Sequence, residues 1–167
     1  MIIPPTPRLI ATRLSEGDFD ALCSMHRDPG VMATLGGVRS DERTRAYLAE
    51  NLAHWAEHGF GMWIFHDRNS GTFVGRGGLR HVVLEGRSEV EVFYALVRNA
   101  WRRGFATEIA AASVDIAFRQ LALRDVVAFT LPDNAGSRRV MEKVGFTYER
   151  DITFHDLRHV LYRRLAP

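Results

Sequence analysis

A glycine-centred turn in the segment WRRGFATE has the residue types of an anion-binding site. Gly104 lets the backbone approach a ligand without a Cβ in the way, and a predicted helix begins directly after it. The first N–H groups of a helix are unpaired and carry a partial positive charge, so they bind phosphate readily. Arg102 and Arg103 add charge that suits a pyrophosphate, Ala106 is small, and Thr107 adds a hydroxyl donor. An ordinary helix start with solvated arginines is the competing interpretation.

A second segment, NAGSRRVMEKVGF, predicts a short helix that begins after Asn134 as its N-cap and is stopped by Gly145. Ser137, Val140 and Met141 share one face of this helix because of their i+3 and i+4 spacing. A capped amphipathic helix without any chemistry explains the same pattern.

Other residues give weaker chemical signals. His81 and His155 could transfer protons because imidazole titrates near neutral pH, although a lone histidine is usually structural. No Cys/His cluster has metal-ligand spacing and no Ser/His/Asp pattern stands out, so we predict no metal. The stretch GRGG at 75–78 lies inside a predicted strand and therefore lacks the context of a dinucleotide loop. We expect another backbone or a ligand to approach it closely.

The elements around these motifs predict an α/β fold (mixed, α+β) in one domain over residues 1–167. Strands are predicted at 8–14, 61–67, 72–81, 88–97, 126–131, 146–154 and 159–164, and helices at 18–27, 41–58, 105–121 and 135–144, with 28–37 as a loop. Ser40 is placed as the N-cap of helix 41–58. Central hairpins and a late β-α-β unit predict a mixed, mostly antiparallel sheet of six to seven strands with helices on both faces.

The composition is that of a soluble globular chain. Hydrophobic residues make up 46% and charged residues 25%, and a formal net charge of +2 is too small to argue for nucleic acid. Lys143 is the one lysine among 22 basic residues, and arginine binds phosphates and carboxylates through a planar fork, although a GC-rich genome also explains the excess. Cys23 is the one cysteine, and neither a signal peptide nor a membrane span is apparent. We therefore expect a cytoplasmic protein.

The two motifs together resemble the GCN5-related N-acetyltransferase (GNAT) superfamily. The pattern N-x-x-S-x-x-V-x-x-K-x-G-F follows W-x-x-G-x-A-T-E by roughly thirty residues. TPRL at 6–9, VG at 74–75 and EVFY at 91–94 are similar to the branch that includes the ribosomal-protein N-terminal acetyltransferases. The similarity covers nearly the whole chain and its order of elements.

This resemblance implies acetyl-CoA as cosubstrate and a sheet whose fourth and fifth strands splay apart to hold it. In this family the pantetheine arm lies along the fourth strand, where a bulge leaves N–H groups free for the acetyl carbonyl. Leu96 and Val97 would supply those groups here, and Asn134 would contact the pantetheine region. The pyrophosphate would be cradled by Arg102, Arg103, Gly104, Phe105, Ala106 and Thr107.

Acetyl transfer from a thioester to an amine makes three demands. The amine must lose a proton, the developing oxyanion needs an N–H donor, and the departing thiolate benefits from a proton donor. Many family members place a tyrosine acid seven residues after the asparagine, where this chain has Met141, which cannot give a proton. Ser137 is the nearest donor on the same helix face and becomes the hypothetical acid, unless it merely packs or caps.

Glu91 is the base that the resemblance suggests, directly or through a water, with a structural ion pair as its competing role. Tyr94 lies three positions further, so strand alternation places the two side chains on opposite faces unless a bulge intervenes. Only one of them is then expected to point into the cleft, and Tyr94 is expected to line the pocket.

The sequence thus predicts transfer of an acetyl group to a primary amine by direct attack. A protein α-amine, a polyamine, an antibiotic amine and an amino acid all remain open as acceptors, held by residues 28–40, helix 41–58 and the C-terminal strands. The alternative is an acyl-CoA-binding module that has lost catalysis. A homodimer is compatible with the branch. A third function, nucleic-acid binding, is opposed by the scatter of the arginines it would use. These are Arg102, Arg103, Arg138, Arg139, Arg163 and Arg164.

Overall fold

The computed structural model describes residues 4–167, so the first three residues of the segment in which no signal peptide is predicted lie outside it. Five helices are α1 (Phe19–His26), α2 (Pro29–Met32), α3 (Asp41–His58), α4 (Phe105–Asp115) and α5 (Ala135–Lys143). Seven strands are β1 (Leu9–Arg13), β2 (Met62–Asp67), β3 (Phe73–Leu84), β4 (Arg87–Leu96), β5 (Asp125–Thr130), β6 (Thr147–Phe154) and β7 (Leu157–Leu165).

The strands form one mixed sheet in the order β1-β2-β3-β4-β5-β7-β6. The β4–β5 pair is parallel, and the other neighbours are antiparallel. This confirms the predicted mixed sheet and its upper strand number. It also places the end of β4 beside β5, where the late β-α-β unit crosses over.

Strands β4 and β5 separate after a single point of contact. Their register consists of the pair Glu91–Val127, whereas β3 and β4 pair without interruption from Gly75–Leu96 to Leu84–Arg87. On its other side β5 pairs fully with β7. The predicted splay is therefore present, and it opens a gap between the C-terminal ends of β4 and β5.

Helices cover both faces of the sheet. A Cβ on Gly77 would lie 2.6 Å from the Ile109 side chain, so α4 packs directly on that face of β3. The neighbouring residue, Arg76, points to the opposite face, where its guanidinium lies 4.9 Å from the Tyr47 ring of α3. Alternation along β3 therefore separates an α4 face from an α3 face.

The glycines at 75 and 78 are explained by close backbone approach, as predicted. A Cβ at Gly75 would lie 2.2 Å from the carbonyl oxygen of Ala95, and one at Gly78 would lie 2.2 Å from that of Gly61. Any side chain would force the neighbouring strands apart, so these glycines are needed for the close packing of β3 against its neighbours.

Ser40 caps α3 as predicted, since its hydroxyl accepts a hydrogen bond from the Arg43 N–H at 3.2 Å. One local prediction was wrong, and one helix differs in form from the prediction. The loop at 28–37 contains α2, because the Asp28 carboxylate accepts from the Gly30 N–H at 2.8 Å and caps a short turn. The helix predicted to reach residue 121 changes at Ile116 to a wider turn, which buries the side chains of Ile116 and Ala117.

Candidate active site

A cavity of about 1040 Å³ occupies the gap between β4 and β5. This is at the upper end of the usual volume for a small-molecule site. Its walls come from the segment 30–39, from Tyr47 of α3, from β3, β4 and β5, from the start of α4, from α5 and from the β6–β7 hairpin. These include the segments in which the sequence analysis placed the acceptor.

The glycine-centred turn is open and has left-handed backbone where a ligand would meet it. Gly104 has φ of +79° and Arg102 has φ of +59°. The first hydrogen bond of α4 runs from the Glu108 N–H to the Gly104 carbonyl at 3.1 Å. The N–H groups of Phe105, Ala106 and Thr107 therefore precede the helical ladder and are available to an anion. All three residues line the cavity.

Arg8, at the edge of β1, holds this turn in place and was missed as a site residue. Its Nη1 donates to the carbonyl of Arg103 at 2.8 Å, and its Nε donates to the Glu108 carboxylate at 2.8 Å. The same carboxylate accepts from the Arg8 backbone N–H at 2.7 Å. The one sequence signal for Arg8 was its position in the TPRL segment, which is similar to the acetyltransferase branch. No spacing in the sequence relates residue 8 to residue 104.

Arg102 and Arg103 differ in what they can contribute. Arg102 lines the cavity. Arg103 donates to the Asp67 carboxylate at 2.8 Å and lies 4.5 Å from the Phe105 ring. The Arg103 side chain thus forms an ion pair with a buried carboxylate of β2, and its contact with a pyrophosphate stays a prediction.

The acetyl-binding edge of β4 departs from expectation in two respects. The strand has no bulge in its pairing with β3. In addition, the Val97 N–H donates to the Val74 carbonyl at 3.0 Å, so Val97 cannot offer it to a ligand. Because N–H directions alternate in an antiparallel ladder, those of Tyr94 and Leu96 point away from β3 into the gap. The Leu96 N–H therefore stays the predicted donor to the acyl group, and the Tyr94 N–H, unlike that of Val97, also faces the gap.

Asn134 and Ser137 lie together on the cavity wall at the start of α5. The Asn134 side chain accepts from the Ser137 N–H at 3.1 Å and donates to Thr130 at 3.0 Å. It is therefore the predicted N-cap, with hydrogen-bonding capacity left for a ligand. Met141 is buried and borders the cavity, but its thioether has no proton to give.

Tyr94 reaches across the gap to Ser137. Its phenol oxygen lies 3.0 Å from the Ser137 hydroxyl and 3.2 Å from the Ser137 carbonyl. Burial raises the pKa of Tyr94 to about 12, against a smaller lowering by the hydrogen bond to Ser137. The phenol is therefore protonated at neutral pH and is a hydrogen-bond donor. The sequence could not show this pair, because 43 residues separate its members.

Glu91 and Tyr94 both line the cavity, so the expectation that only one of them faces the cleft was wrong. The two side chains do point to opposite faces of β4. The gap between β4 and β5 is open to both faces of the sheet. Glu91 therefore borders it from one face, and Tyr94 borders it from the other. Glu91 is buried and accepts from the Arg80 Nε at 2.5 Å.

The two candidate histidines lie in different places. His81 does not border the cavity but lies in a ring cluster, with its centroid 4.3 Å from that of His58 and 5.8 Å from that of His54. The prediction that His81 could transfer a proton in the site is therefore wrong, because the side chain lies outside the cavity. His155 lies at the tip of the β6–β7 hairpin and borders the cavity.

Three further cavity residues were not predicted as site residues. Arg39, Arg76 and Tyr47 form part of the wall on the α3 face of the sheet. They come from a loop, a strand and a helix that the sequence does not relate to one another. The excess of arginine over lysine was the one sequence feature that indicated arginines binding phosphates or carboxylates.

The arginines considered for nucleic acid have different surroundings. Arg163 contacts Glu89, Asp125 and Glu149, and Arg164 donates to the Val144 carbonyl. Arg138 donates to the Tyr162 hydroxyl and the Pro132 carbonyl, whereas Arg139 borders the cavity. They do not form one stripe.

Within residues 4–167, no group of His, Cys, Asp or Glu is arranged to hold a metal ion. No helix in that range is both long and apolar enough to cross a membrane.

Comparison with known proteins decides what this cavity belongs to. The family model for the acetyltransferase (GNAT) domain matches residues 8–147. This chain belongs to the GNAT family. A curated relative, the YkkB protein of Bacillus subtilis, is 30% identical over 128 residues, which are 77% of this chain and 74% of the relative.

Solved GNAT structures agree with this fold. An acetyltransferase from Agrobacterium tumefaciens superposes with a TM-score of 0.83 at 28% identity, covering 95% of this chain and 91% of its own. A spermidine N-acetyltransferase from Vibrio cholerae, solved with CoA and spermine, shares the fold with a TM-score of 0.76 at 16% identity and 95% coverage of both chains. The chain is thus an acetyl-CoA-dependent N-acetyltransferase, as the resemblance implied.

Proposed function

We propose that this GNAT transfers an acetyl group to an amine by direct attack in the gap between β4 and β5, without an acyl-enzyme. One observation carries the proposal. The open turn before α4, the free N–H edge of β4 and the Tyr94–Ser137 hydroxyl pair all border one cavity.

The residues of the turn fit the pyrophosphate of acetyl-CoA. The N–H groups of Phe105, Ala106 and Thr107 would bind its oxygens, with Gly104 leaving room for close approach. Arg102 supplies the positive charge. Arg8 is a positioning residue, because it fixes the turn through Arg103 and Glu108.

The edge of β4 fits the pantetheine arm and the acetyl group. The Tyr94 and Leu96 N–H groups point into the gap, where an extended chain can pair with them as an added strand. The Leu96 N–H is the donor proposed for the acetyl oxygen, where developing negative charge needs a preorganised partner. Asn134, the N-cap of α5, borders the same cavity and would contact this arm.

Ser137 is the proposed acid for the departing sulfur. Its hydroxyl can donate to the thiolate while the protonated Tyr94 phenol donates to the Ser137 oxygen and orients it. Tyr94 thus has a more specific role than pocket lining. On the opposite face Glu91, which accepts a hydrogen bond from the Arg80 guanidinium, is the proposed base acting directly or through a water.

The test is an acetyl-transfer assay over a panel of amines, in which thiol release from acetyl-CoA is measured. We expect amine-dependent turnover in which kcat falls strongly in Ser137→Ala. Acetyl-CoA binding by calorimetry without turnover of any amine would favour the non-catalytic acyl-CoA-binding module instead.

We also propose a cytoplasmic location, supported by the need for acetyl-CoA and by the single cysteine, Cys23, which cannot form an intramolecular disulfide. A homodimer stays a prediction from the family, and light scattering coupled to size-exclusion chromatography would test it.

A further inference from the structure

The α3 face of the cavity carries an excess of positive charge. Arg39 and Arg76 border the cavity there together with Arg80, against one carboxylate, that of Glu91. Glu91 is already bonded to Arg80. Two guanidinium groups are therefore left over at this end of the site.

Arg76 is a buried cation that forms no ion pair within the described residues. The residue is 4% exposed, and its Nε is buried with no hydrogen-bond partner among residues 4–167. In the same part of the chain no carboxylate lies within ion-pair distance of Arg76 or Arg39. A buried charge of this kind is costly unless something pairs with it.

Tyr47 adds a second unpaired donor at the same place. Its hydroxyl is buried with no hydrogen-bond partner in the described part of the chain, and its ring lies 4.7 Å from the Arg39 guanidinium and 4.9 Å from that of Arg76. The ring contacts hold both guanidinium groups beside the cavity but do not use up their N–H donors. The donors of all three side chains therefore remain available.

This arrangement is suited to a small anion. Burial lowers the pKa of Arg76, as do the charges of Arg39 and Arg80, yet arginine keeps its proton in proteins. The forked donors of guanidinium match the two oxygens of a carboxylate. A polyamine or other purely cationic acceptor would meet repulsion here.

The position of Arg76 relates this anion site to the chemistry. Arg76 pairs across the sheet with Ala95, the neighbour of Leu96. Ala95 and Glu91 lie on the same face of β4, so the anion would be held on the face that carries Glu91. The position next to Ala95 is Leu96, whose N–H is the proposed donor to the acetyl oxygen. An acceptor with its amine in the gap could place an acidic group on this cluster.

We infer that the acceptor is a small amine that also carries an acidic group, a carboxylate in the first instance, and that Arg76, Arg39 and Tyr47 bind that group. The inference rests on the proposed function, because it names the substrate class of the same site. It is independent of which residue acts as acid or base.

The test compares amines that differ only in the acidic group, with acetyl-CoA saturating. Suitable pairs are lysine and cadaverine, tyrosine and tyramine, and O-phosphoethanolamine and ethanolamine, the last pair separating phosphate from carboxylate. We expect kcat/KM to be at least about 30-fold higher for the acidic member, as one well-placed charge-assisted contact allows. Equal rates within pairs, or a preference for neutral amines, polyamines or peptides without acidic groups, would overturn the inference. Absence of turnover with every amine would instead count against the proposed function.

Variants locate the effect. Arg76→Met and Arg39→Gln should each reduce the preference for the acidic member at least about tenfold, with the KM for acetyl-CoA unchanged. Arg45→Met is the matched control, because Arg45 also lies over an aromatic ring, that of Phe19 at 3.9 Å, but does not border the cavity. A preference unchanged in Arg76→Met, or lost equally in Arg45→Met, would refute the assignment.

If Arg76→Met does not fold, anion binding can be measured on the wild-type protein instead. With saturating CoA filling the phosphate turn, malonate should raise the Tm by several degrees more than chloride at the same ionic strength. No difference between the two anions would also overturn the inference.

Discussion

Replacing Gly104 tests the turn that the proposed function assigns to pyrophosphate. Gly104 has φ of +79°, a conformation that costs a non-glycine residue about 1–2 kcal/mol. A Cβ there would lie 3.2 Å from the Arg8 Nη2, so the guanidinium must shift by a few tenths of an ångström against its hydrogen bonds to Arg103 and Glu108. Gly104→Ala should therefore lower the free energy of unfolding by about 1 kcal/mol and leave the fold intact.

Gly104→Glu adds an electrostatic effect on the donor. A carboxylate about 5 Å from a phosphate charge opposes binding by about 2 kcal/mol after allowance for solvent screening, which weakens acetyl-CoA binding about 30-fold. Calorimetry gives the Kd for acetyl-CoA directly, and chemical denaturation gives the stability of the same samples.

Gly71 provides a matched control for this experiment. It has φ of +72°, its Cβ would meet nothing within 4 Å, and it lies in the β2–β3 turn outside the cavity. Gly71→Ala and Gly71→Glu should therefore lose similar stability but keep the wild-type Kd. The reasoning is refuted if Gly104→Glu binds acetyl-CoA like the wild type, or if both glutamate variants weaken binding equally.

Three further predictions concern proton transfer, pH and packing. Ser137→Ala should lower kcat about 100-fold with the Kd for acetyl-CoA within about threefold, and Tyr94→Phe should lower kcat less; a silent Ser137→Ala would remove Ser137 from the mechanism. Burial lowers the pKa of His26 to about 3, so the unfolded chain binds more protons below pH 6.5 and unfolding should become easier by up to about 1.4 kcal/mol per pH unit between pH 6.5 and 3. Denaturation of His26→Gln should show a shallower slope between pH 6.5 and 4.5, and an unchanged slope would contradict this. Ile109→Ala should cost about 2–4 kcal/mol of stability while the Kd for acetyl-CoA stays near wild type; a loss below about 1 kcal/mol would contradict the packing of α4 on Gly77.

The fold was largely predictable because its elements are specified locally. Ser40 and Asn134 are side-chain caps whose partners lie three residues away, and the glycines of β3 interrupt a strand pattern visibly. The wider turn at Ile116 was not predictable. The apolar pattern continues through it, and the burial of two consecutive side chains depends on tertiary packing.

The composition of the phosphate turn was visible in the sequence, whereas the directions of individual N–H groups and side chains, and the acceptor wall, were not. The turn at Gly104 is contiguous in sequence, so its composition indicates its chemistry. By contrast, the direction of the Val97 N–H depends on strand register, and that of the Arg103 side chain depends on Asp67. The cluster of Arg39, Tyr47 and Arg76 joins three elements, so no local pattern reveals it.

A crystal structure of the protein with CoA bound is the most direct measurement of the central claim. We expect the diphosphate to lie within hydrogen-bond distance of the N–H groups of Phe105, Ala106 and Thr107. We also expect the pantetheine arm to pair with the N–H groups of Tyr94 and Leu96. CoA bound elsewhere, or entering the gap without contact to the amides around Gly104, would contradict it.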